Sequence, residues 1–260
     1  MSDFNTISLL IDECGIAYLT LNRAEKHNAM NAEMLLELTA AAEQCANDEN
    51  VRAVVLKAEG KSFCAGGDLD WMREQAGQNR EGKMAAARIL ASALMKLNTL
   101  PKPLIGRVQG NAFGGGIGLM AVCDLVIAHP AAKYGLTETK LGLVPATIGP
   151  FVVERMGGGF ARQVFFSGRD FNSDFALRSG LVTKVTEDLD EAIDAELKTI
   201  LKTAPGAVAD AKLLCQNLSS NITPTQIEST IAILADRWES EETKLGIDAF
   251  FNKRLAPWVR

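Results

Sequence analysis

Residues 110–120 read GNAFGGGIGLM, with glycine at positions 114, 115, 116 and 118. Glycine destabilises the interior of a helix or strand because it loses the most backbone entropy on ordering. Its dense use in a mostly apolar run indicates a backbone that turns tightly or lets another group approach closely. A second cluster, FCAGGDL at residues 63–69, has the same character. The two clusters raise the question of what approaches the chain there.

The composition is that of a soluble globular protein. The chain has 260 residues, 47% of them hydrophobic and 23% charged, which is enough for one large domain. Its net charge of −5 argues against a general nucleic-acid binder. No apolar run approaches the ~18 residues of a membrane span, and the start MSDFNTISLL lacks the features of a signal peptide. We expect a cytoplasmic protein with neither nucleic acid nor membrane as a partner.

Several common site types are not indicated by the sequence. The five cysteines are odd in number and contain no CxxC pair, and His27 and His129 are too far apart to suggest a metal cluster. The segment Gly60-Lys61-Ser62 lacks the upstream glycine of a P-loop, and Leu119 replaces the last glycine of the dinucleotide fingerprint. No GxSxG elbow of a serine hydrolase is present. We therefore expect no metal.

Short apolar runs alternate with helical patterns over most of the chain. A β-hairpin is predicted from the runs at 7–11 and 16–21, and buried strands from those at 51–58, 104–109 and 124–128. Helices are predicted over 83–98 and from the capping residue Asn31 onward. Because strands that alternate with helices form βαβ crossovers, the pattern predicts an α/β fold.

The chain becomes helical almost throughout from about residue 187. Residues 223–226, Thr-Pro-Thr-Gln, form a capping box with proline at the first helical position. The following apolar stripe consists of Ile227, Ile231, Leu234 and Trp238. We interpret this stripe as part of an interface between subunits.

Both glycine clusters follow a predicted strand and precede a predicted helix. The first N–H groups of a helix lack intrahelical partners and carry partial positive charge. Two such termini that face one point would form an oxyanion hole, which stabilises an enolate or a tetrahedral intermediate. Tight turns with glycine needed only for packing are the alternative, and spacing alone does not decide between the two.

Several motifs in one order resemble the crotonase (enoyl-CoA hydratase/isomerase) superfamily. They are LNRAEKHNAMN at 21–31, FCAGGDL at 63–69, QGNAFGGGIGLMAVCDLVIA at 109–128, YGLTETKLGLVPA at 134–146 and AFFNKR at 249–254. The resemblance implies an α/β, crotonase-like ββα spiral core over residues 1–195 and a C-terminal helical trimerisation region over 196–260. It also implies a homotrimer or a dimer of trimers.

The same resemblance implies an acyl-CoA thioester substrate, with coenzyme A as part of that substrate and no separate cofactor. The N–H groups of Gly67 and Gly115 match the oxyanion hole for the thioester carbonyl. The positions that match the coenzyme A site of the family are Arg23, Ala24, Lys26, Ala65, Asp68, Leu69, Phe250 and Lys253.

The sequence departs from a typical hydratase at one catalytic position. Such enzymes carry two glutamates, of which Glu138 matches one, whereas Gly118 leaves the place of the other without a side chain. A single carboxylate suffices for a proton shuttle along the acyl chain, as in enoyl-CoA isomerases. A non-catalytic acyl-CoA-binding protein of the same fold is a further alternative.

A finer likeness favours hydration. The stretches DLDWMRE at 68–74, AFGGGIGL at 112–119 and TETKLGLVPATIGPFVVERMG at 137–157 resemble bacterial methylglutaconyl-CoA hydratases of leucine and isovalerate breakdown. Their substrates carry a distal carboxylate, for which Arg73 and Arg155 are candidate partners. We expect an enoyl-CoA hydratase in which Glu138 is the acid/base.

Overall fold

The computed structural model describes residues 4–219 and 222–259, and within them an N-terminal hairpin opens a mixed α/β fold. The strands are β1 (Ile7–Ile11), β2 (Ile16–Leu21), β3 (Ala53–Ala58), β4 (Ser62–Cys64), β5 (Leu104–Val108), β6 (Asn111–Phe113), β7 (Leu125–Ala128), β8 (Lys133–Gly135), β9 (Asp170–Asn172) and β10 (Lys184–Val185). The helices are α1 (Ala32–Asn47), α2 (Leu69–Gly77), α3 (Arg80–Asn98), α4 (Gly115–Ala121), α5 (Gly149–Ser167), α6 (Ser173–Arg178), α7 (Leu189–Ile200), α8 (Pro205–Leu218), α9 (Pro224–Glu239) and α10 (Glu241–Phe251). Two short 3₁₀ turns span Ala24–Lys26 and Glu138–Leu141.

The larger sheet has the strand order β1-β2-β3-β5-β7-β10. Only the β1–β2 hairpin is antiparallel, and the remaining pairs are parallel, as expected for strands joined by helical crossovers. The apolar runs of β3 and β7 are nearly continuous, because helices cover both faces of such a sheet. The predicted hairpin and the three predicted parallel strands are confirmed.

A second, four-stranded sheet with the order β4-β6-β8-β9 positions the two glycine clusters. Strands β4 and β6 are parallel neighbours, and helices α2 and α4 follow them. The carboxyl ends of parallel neighbours meet at one edge of a sheet, so the turns at residues 65–68 and at Gly114 lie side by side. This confirms that each glycine cluster joins a strand to a helix.

The apolar stripe of α9 is buried within the chain, which corrects its interpretation as a subunit interface. Ile231 is fully buried and Ile227 nearly so, both in the main core, while Trp238 packs in a smaller cluster with Leu143 and Ile247. Helix α9 packs on α3, so the stripe covers the fold's own core. The periodicity identified a buried face correctly, but its partner is in the same subunit.

The C-terminal helices also fix the turn that carries Glu138. The Nε of Arg237 in α9 and the hydroxyl of Thr243 in α10 both donate to the carbonyl oxygen of Gly142, at 2.7 and 2.9 Å. Gly142 ends the 3₁₀ turn Glu138–Leu141 in the left-handed region, at φ 76°. A division of the chain after residue 195 falls inside α7, which packs on β5 and β7 of the larger sheet.

Within the described ranges, none of the helices combines the length and the apolar character needed to cross a bilayer.

Candidate active site

Two backbone N–H groups are left free where the glycine turns meet. Neither the N–H of Gly67 nor that of Gly115 donates a hydrogen bond to another residue in the described part of the chain. The flanking backbone is fixed, because the N–H of Met30 donates to Gly66 at 2.7 Å and the N–H of Asp68 donates to Met30 at 2.8 Å. The fixed frame holds the free donors ready for an oxygen atom of a ligand.

Close packing between the turns explains the density of glycine. Gly66 and Gly114 adopt positive φ, at 96° and 49°, which favours glycine. A Cβ on Gly66 would lie 3.2 Å from the carbonyl oxygen of Phe113. At Gly116 a Cβ would lie 2.6 Å from the carbonyl oxygen of Cys64. The chain needs glycine here both to turn and to bring β4 and β6 together.

The carboxyl group of Glu138 lies beside the second turn. A Cβ on Gly114 would be 3.3 Å from Glu138 Oε1. The other oxygen, Oε2, is buried and has no hydrogen-bond partner among the described residues. Burial raises the pKa of Glu138 from 4.5 to about 7, because an ionised carboxylate loses its hydration there. A carboxyl group with this pKa gains and loses a proton readily at neutral pH.

A cavity of about 450 Å³ joins these groups. Its wall includes Gly67, Gly115 and Glu138 and is otherwise mainly apolar, with the side chains of Trp71, Met72, Leu143, Leu234, Trp238 and Phe250. The charged residues on this wall, within the ranges the structure describes, are Glu138 and Lys140. A second cavity of about 520 Å³ between α5 and α8 contains neither glycine turn nor Glu138. The first cavity therefore combines an apolar pocket, paired donors and a titratable carboxyl group.

The place of a second carboxylate is filled by apolar side chains, which corrects the view of Gly118 as an empty position. A Cβ on Gly118 would lie 2.7 Å from Ile148 Cγ2 and 3.4 Å from Leu94 Cδ1. Gly118 is itself buried in α4. A longer side chain at position 118 has no room unless Ile148 moves.

Comparison with known proteins agrees with this geometry. The sequence profile described as enoyl-CoA hydratase/isomerase matches residues 12–260. The Short-chain-enoyl-CoA hydratase of Clostridium acetobutylicum is 33% identical over 251 residues, covering 95% of each chain. The chain belongs to the enoyl-CoA hydratase/isomerase family.

Solved structures of the family share the fold. An enoyl-CoA hydratase from Shewanella pealeana is 36% identical, with a TM-score of 0.82 over 98% of this chain and 96% of that one. Pseudomonas aeruginosa AtuE is 34% identical, with a TM-score of 0.81 over 98% of this chain and 100% of that one. The expected crotonase fold is thereby confirmed.

The positions matched to the coenzyme A site of the family fall into three groups. Ala65, Leu69 and Phe250 line the cavity, and Phe250 does so from the C-terminal helix of the same chain. Ala24, Lys26 and Lys253 are exposed and lie outside that wall. Their predicted contacts with coenzyme A stay predictions.

Arg23 and Asp68, the remaining two positions, pair with each other. Their side chains are 15% and 7% exposed and meet at 2.9 Å. Burial alone would raise the pKa of Asp68, but hydrogen bonds from Arg23 and from the backbone of Trp71 and Asp70 outweigh it and lower the pKa. Asp68 also caps α2, so this pair fixes the first glycine turn.

Neither arginine considered for a distal carboxylate lines the cavity. The Arg155 guanidinium donates to the carbonyl oxygens of Gly180, Cys123 and Asp124, and its role in the structure is to join α5 to neighbouring loops. Arg73 is exposed, pairs with Asp70 at 2.8 Å and stacks 4.3 Å from the ring centre of Phe251. The sequence places loops around 71–88 and 147–152 and the C-terminal helices on the pocket wall, and Thr147 and Ile148 do line the cavity. The residue that sequence reasoning missed is Lys140, although it lies within the motif at 134–146.

Proposed function

We propose that this chain hydrates an α,β-unsaturated acyl-CoA, with Glu138 as the acid/base and the N–H groups of Gly67 and Gly115 as the oxyanion hole. The observation that carries the proposal is the buried, unpartnered Glu138 Oε2 in a cavity that also exposes two free backbone donors. Hydration can be followed as the loss of the enoyl thioester absorbance, and substitution of Glu138 should abolish it.

The proposed reaction uses the carboxyl group twice. The two N–H groups hold the thioester oxygen and stabilise the enolate that develops on it. As the water oxygen bonds to C3, one water proton passes to the Glu138 carboxylate and the C2–C3 π electrons move toward the carbonyl. The enolate then takes that proton at C2, which leaves a 3-hydroxyacyl-CoA and an ionised Glu138. A pKa near 7 suits a group that must both accept and return a proton.

We propose methylglutaconyl-CoA as the first substrate to test. Lys140, rather than an arginine, is then the partner for its distal carboxylate, since it is the basic residue on the described cavity wall. Lys140 is exposed, so Lys140→Met should raise the KM of this substrate only roughly two- to fivefold, the size of an exposed ion pair. The KM of an uncharged short enoyl-CoA serves as the control and should not change. Equal effects on both thioesters would contradict this assignment.

Isomerisation of the double bond is the second candidate, because a single carboxylate can remove a proton at one carbon and return it at another. The two reactions differ in their products. A hydratase adds the mass of one water, whereas an isomerase in D₂O changes only the deuterium content. Mass spectrometry of the products from a panel of enoyl-CoA thioesters separates the two candidates.

We also propose a homotrimer or a dimer of trimers. With the α9 stripe buried internally, the support comes from exposed apolar side chains elsewhere, such as Leu213, Leu214 and Leu218 on α8 and Phe166 on α5. Contiguous exposed apolar surface marks interaction sites in soluble proteins. Light scattering at micromolar concentration tests the proposal, and a monomeric mass would contradict it.

A further inference from the structure

Thr147 is a second polar residue in the cavity whose side chain has no partner. Among the described residues, three buried side-chain polar atoms lack a hydrogen bond: Gln109 Oε1, Glu138 Oε2 and Thr147 Oγ1. Glu138 and Thr147 both belong to the wall of the cavity that contains the glycine turns. Burial of a hydroxyl without a partner costs free energy, so such a group in a ligand cavity indicates a ligand atom to bind.

The position of Thr147 in the chain connects it with the missing carboxylate. Thr147 is 3% exposed and directly precedes Ile148, whose Cγ2 would lie 2.7 Å from a Cβ on Gly118. The wall that closes the space beside Gly118 therefore carries a hydroxyl on the adjacent residue. A hydroxyl donates one hydrogen bond and accepts others, which suits it to hold a water molecule.

We propose that the Thr147 hydroxyl holds the attacking water and thereby takes the positioning role for which residue 118 has no side chain. This inference rests on the proposed hydratase function. One water held by Thr147 Oγ1 and Glu138 Oε2 would satisfy both unpartnered atoms. Glu138 takes the water proton as the water oxygen bonds to C3, and Thr147 keeps its own proton throughout. Thr147 is a water-positioning residue, and it affects the addition step without being needed for removal of a proton from carbon.

Two reactions of the same site separate these roles. Hydration of an enoyl-CoA needs the positioned water, Glu138 and the oxyanion hole. Exchange of the C2 protons of a saturated acyl-CoA in D₂O needs Glu138 and the oxyanion hole but no water addition. Thr147→Val removes the hydroxyl and keeps the branched shape. We expect it to lower kcat for hydration roughly ten- to a hundredfold, as misplacement of a reactant does, and to change KM and the exchange rate less than twofold.

Two further variants of Thr147 complete the test. Thr147→Ser keeps the hydroxyl and should recover most of the hydration rate. Thr147→Ala also removes the hydroxyl, and it replaces the valine variant in the comparison with serine if valine does not fit the site and destabilises the protein. Equal losses in the serine and valine variants would show that keeping the hydroxyl does not recover the rate, and this would overturn the proposal.

A matched control distinguishes a structural threonine from one that holds a ligand. Thr6 is also buried, but its hydroxyl donates a hydrogen bond to the Glu37 carboxylate, and neither residue lines the cavity. Thr6→Val should lower the melting temperature and leave both reactions intact, whereas Thr147→Val should leave the melting temperature unchanged or raise it.

The outcomes also separate this inference from the proposed function. If the wild-type chain hydrates a thioester and Thr147→Val does so at the same rate, the Thr147 assignment alone is overturned. If the wild-type chain exchanges C2 protons but hydrates no thioester, the hydratase function and the Thr147 assignment are both overturned. Glu138→Gln, which should lose both reactions, confirms that the exchange reports on this site.

Discussion

Substitution of Glu138 by glutamine should make the protein more stable and nearly inactive at the same time. Glutamine keeps the size and the hydrogen-bonding atoms of the side chain but carries no charge and exchanges no proton at neutral pH. The wild-type carboxyl group has an ordinary pKa of 4.5, and burial raises it to about 7 in the folded protein. The folded state therefore disfavours the ionised form that the unfolded chain adopts.

The size and sign of the effect follow from this difference. Below about pH 4.5, Glu138 is protonated in both states, and its raised pKa costs no stability. As the pH rises from 4.5 through 7, the unfolded state ionises first, so stability is lost until the folded pKa is passed. The full difference between pKa 4.5 and about 7 corresponds to about 3 kcal/mol. Glutamine removes this penalty, and its stabilising effect should grow between pH 5 and pH 8 up to that limit.

Urea unfolding at pH 5 and pH 8, at one protein concentration, measures the stability of both proteins. Turnover of an enoyl-CoA at pH 8 should fall about 10²–10⁴-fold in Glu138→Gln, the usual loss of a general acid/base. The control Glu13→Gln makes the same chemical change at an exposed position in the β1–β2 turn and should alter neither quantity. A Glu138→Gln protein that is less stable at pH 8 than the wild type, or that keeps more than a tenth of its turnover, would refute the reasoning.

Three further predictions concern the same site. The wild-type kcat/KM for hydration should rise with pH through about 7 and then level off, because Glu138 must be ionised to accept the water proton. A pH–rate profile that is flat from about pH 6 to about pH 8 would contradict this prediction. Gly115→Pro removes one oxyanion donor at the first position of α4, where proline is tolerated, and should lower kcat roughly a hundredfold. A Cβ at position 115 meets the methyl group of Met30 in both the alanine and the proline variant, but the control Gly115→Ala keeps the backbone N–H. Similar losses of kcat in both variants would argue against a role of that N–H as an oxyanion donor. Gly118→Glu alone should lower the free energy of unfolding by about 1–3 kcal/mol, because the new side chain overpacks against Ile148. Adding Ile148→Ala to that variant should recover the lost stability. Calorimetry or urea unfolding measures both effects.

Five of the six strands of the larger sheet were predictable from sequence because they are long enough to show a pattern, whereas the two-residue β10 was not predicted. Runs such as Ala53–Ala58 and Leu104–Val108 are apolar, β-branched and bounded by breakers. The second sheet was not predicted, because β4, β6, β8 and β9 have three residues each and show no periodicity at that length. Yet this sheet sets the distance between the two glycine turns.

The parts of the site that sequence could indicate are those fixed by local chemistry. The glycine turns and Glu138 are recognisable because backbone donors and a carboxylate each need particular residues in short motifs. The apolar wall is different, since Leu234 and Trp238 reach it from far along the chain. Periodicity shows that such residues face something apolar, but it does not say whether that is a core, a ligand or another subunit.

Ile148 in the space beside Gly118 has an electrostatic consequence for catalysis. Two carboxylates in one cavity would repel each other, and each would shift the pKa of the other. With Ile148 and Leu94 filling that space, Glu138 remains the acidic group on the described wall. Burial raises its pKa to about 7, against the smaller lowering effect of a hydrogen bond from its own backbone. A lone carboxyl group with this pKa is partly ionised at neutral pH, so it accepts a proton from water and returns it to carbon with little cost in either direction. The apolar side chains beside Gly118 thus favour a mechanism in which the Glu138 carboxyl group both accepts and returns the proton. A neutral partner such as the Thr147 hydroxyl is then left to orient the water.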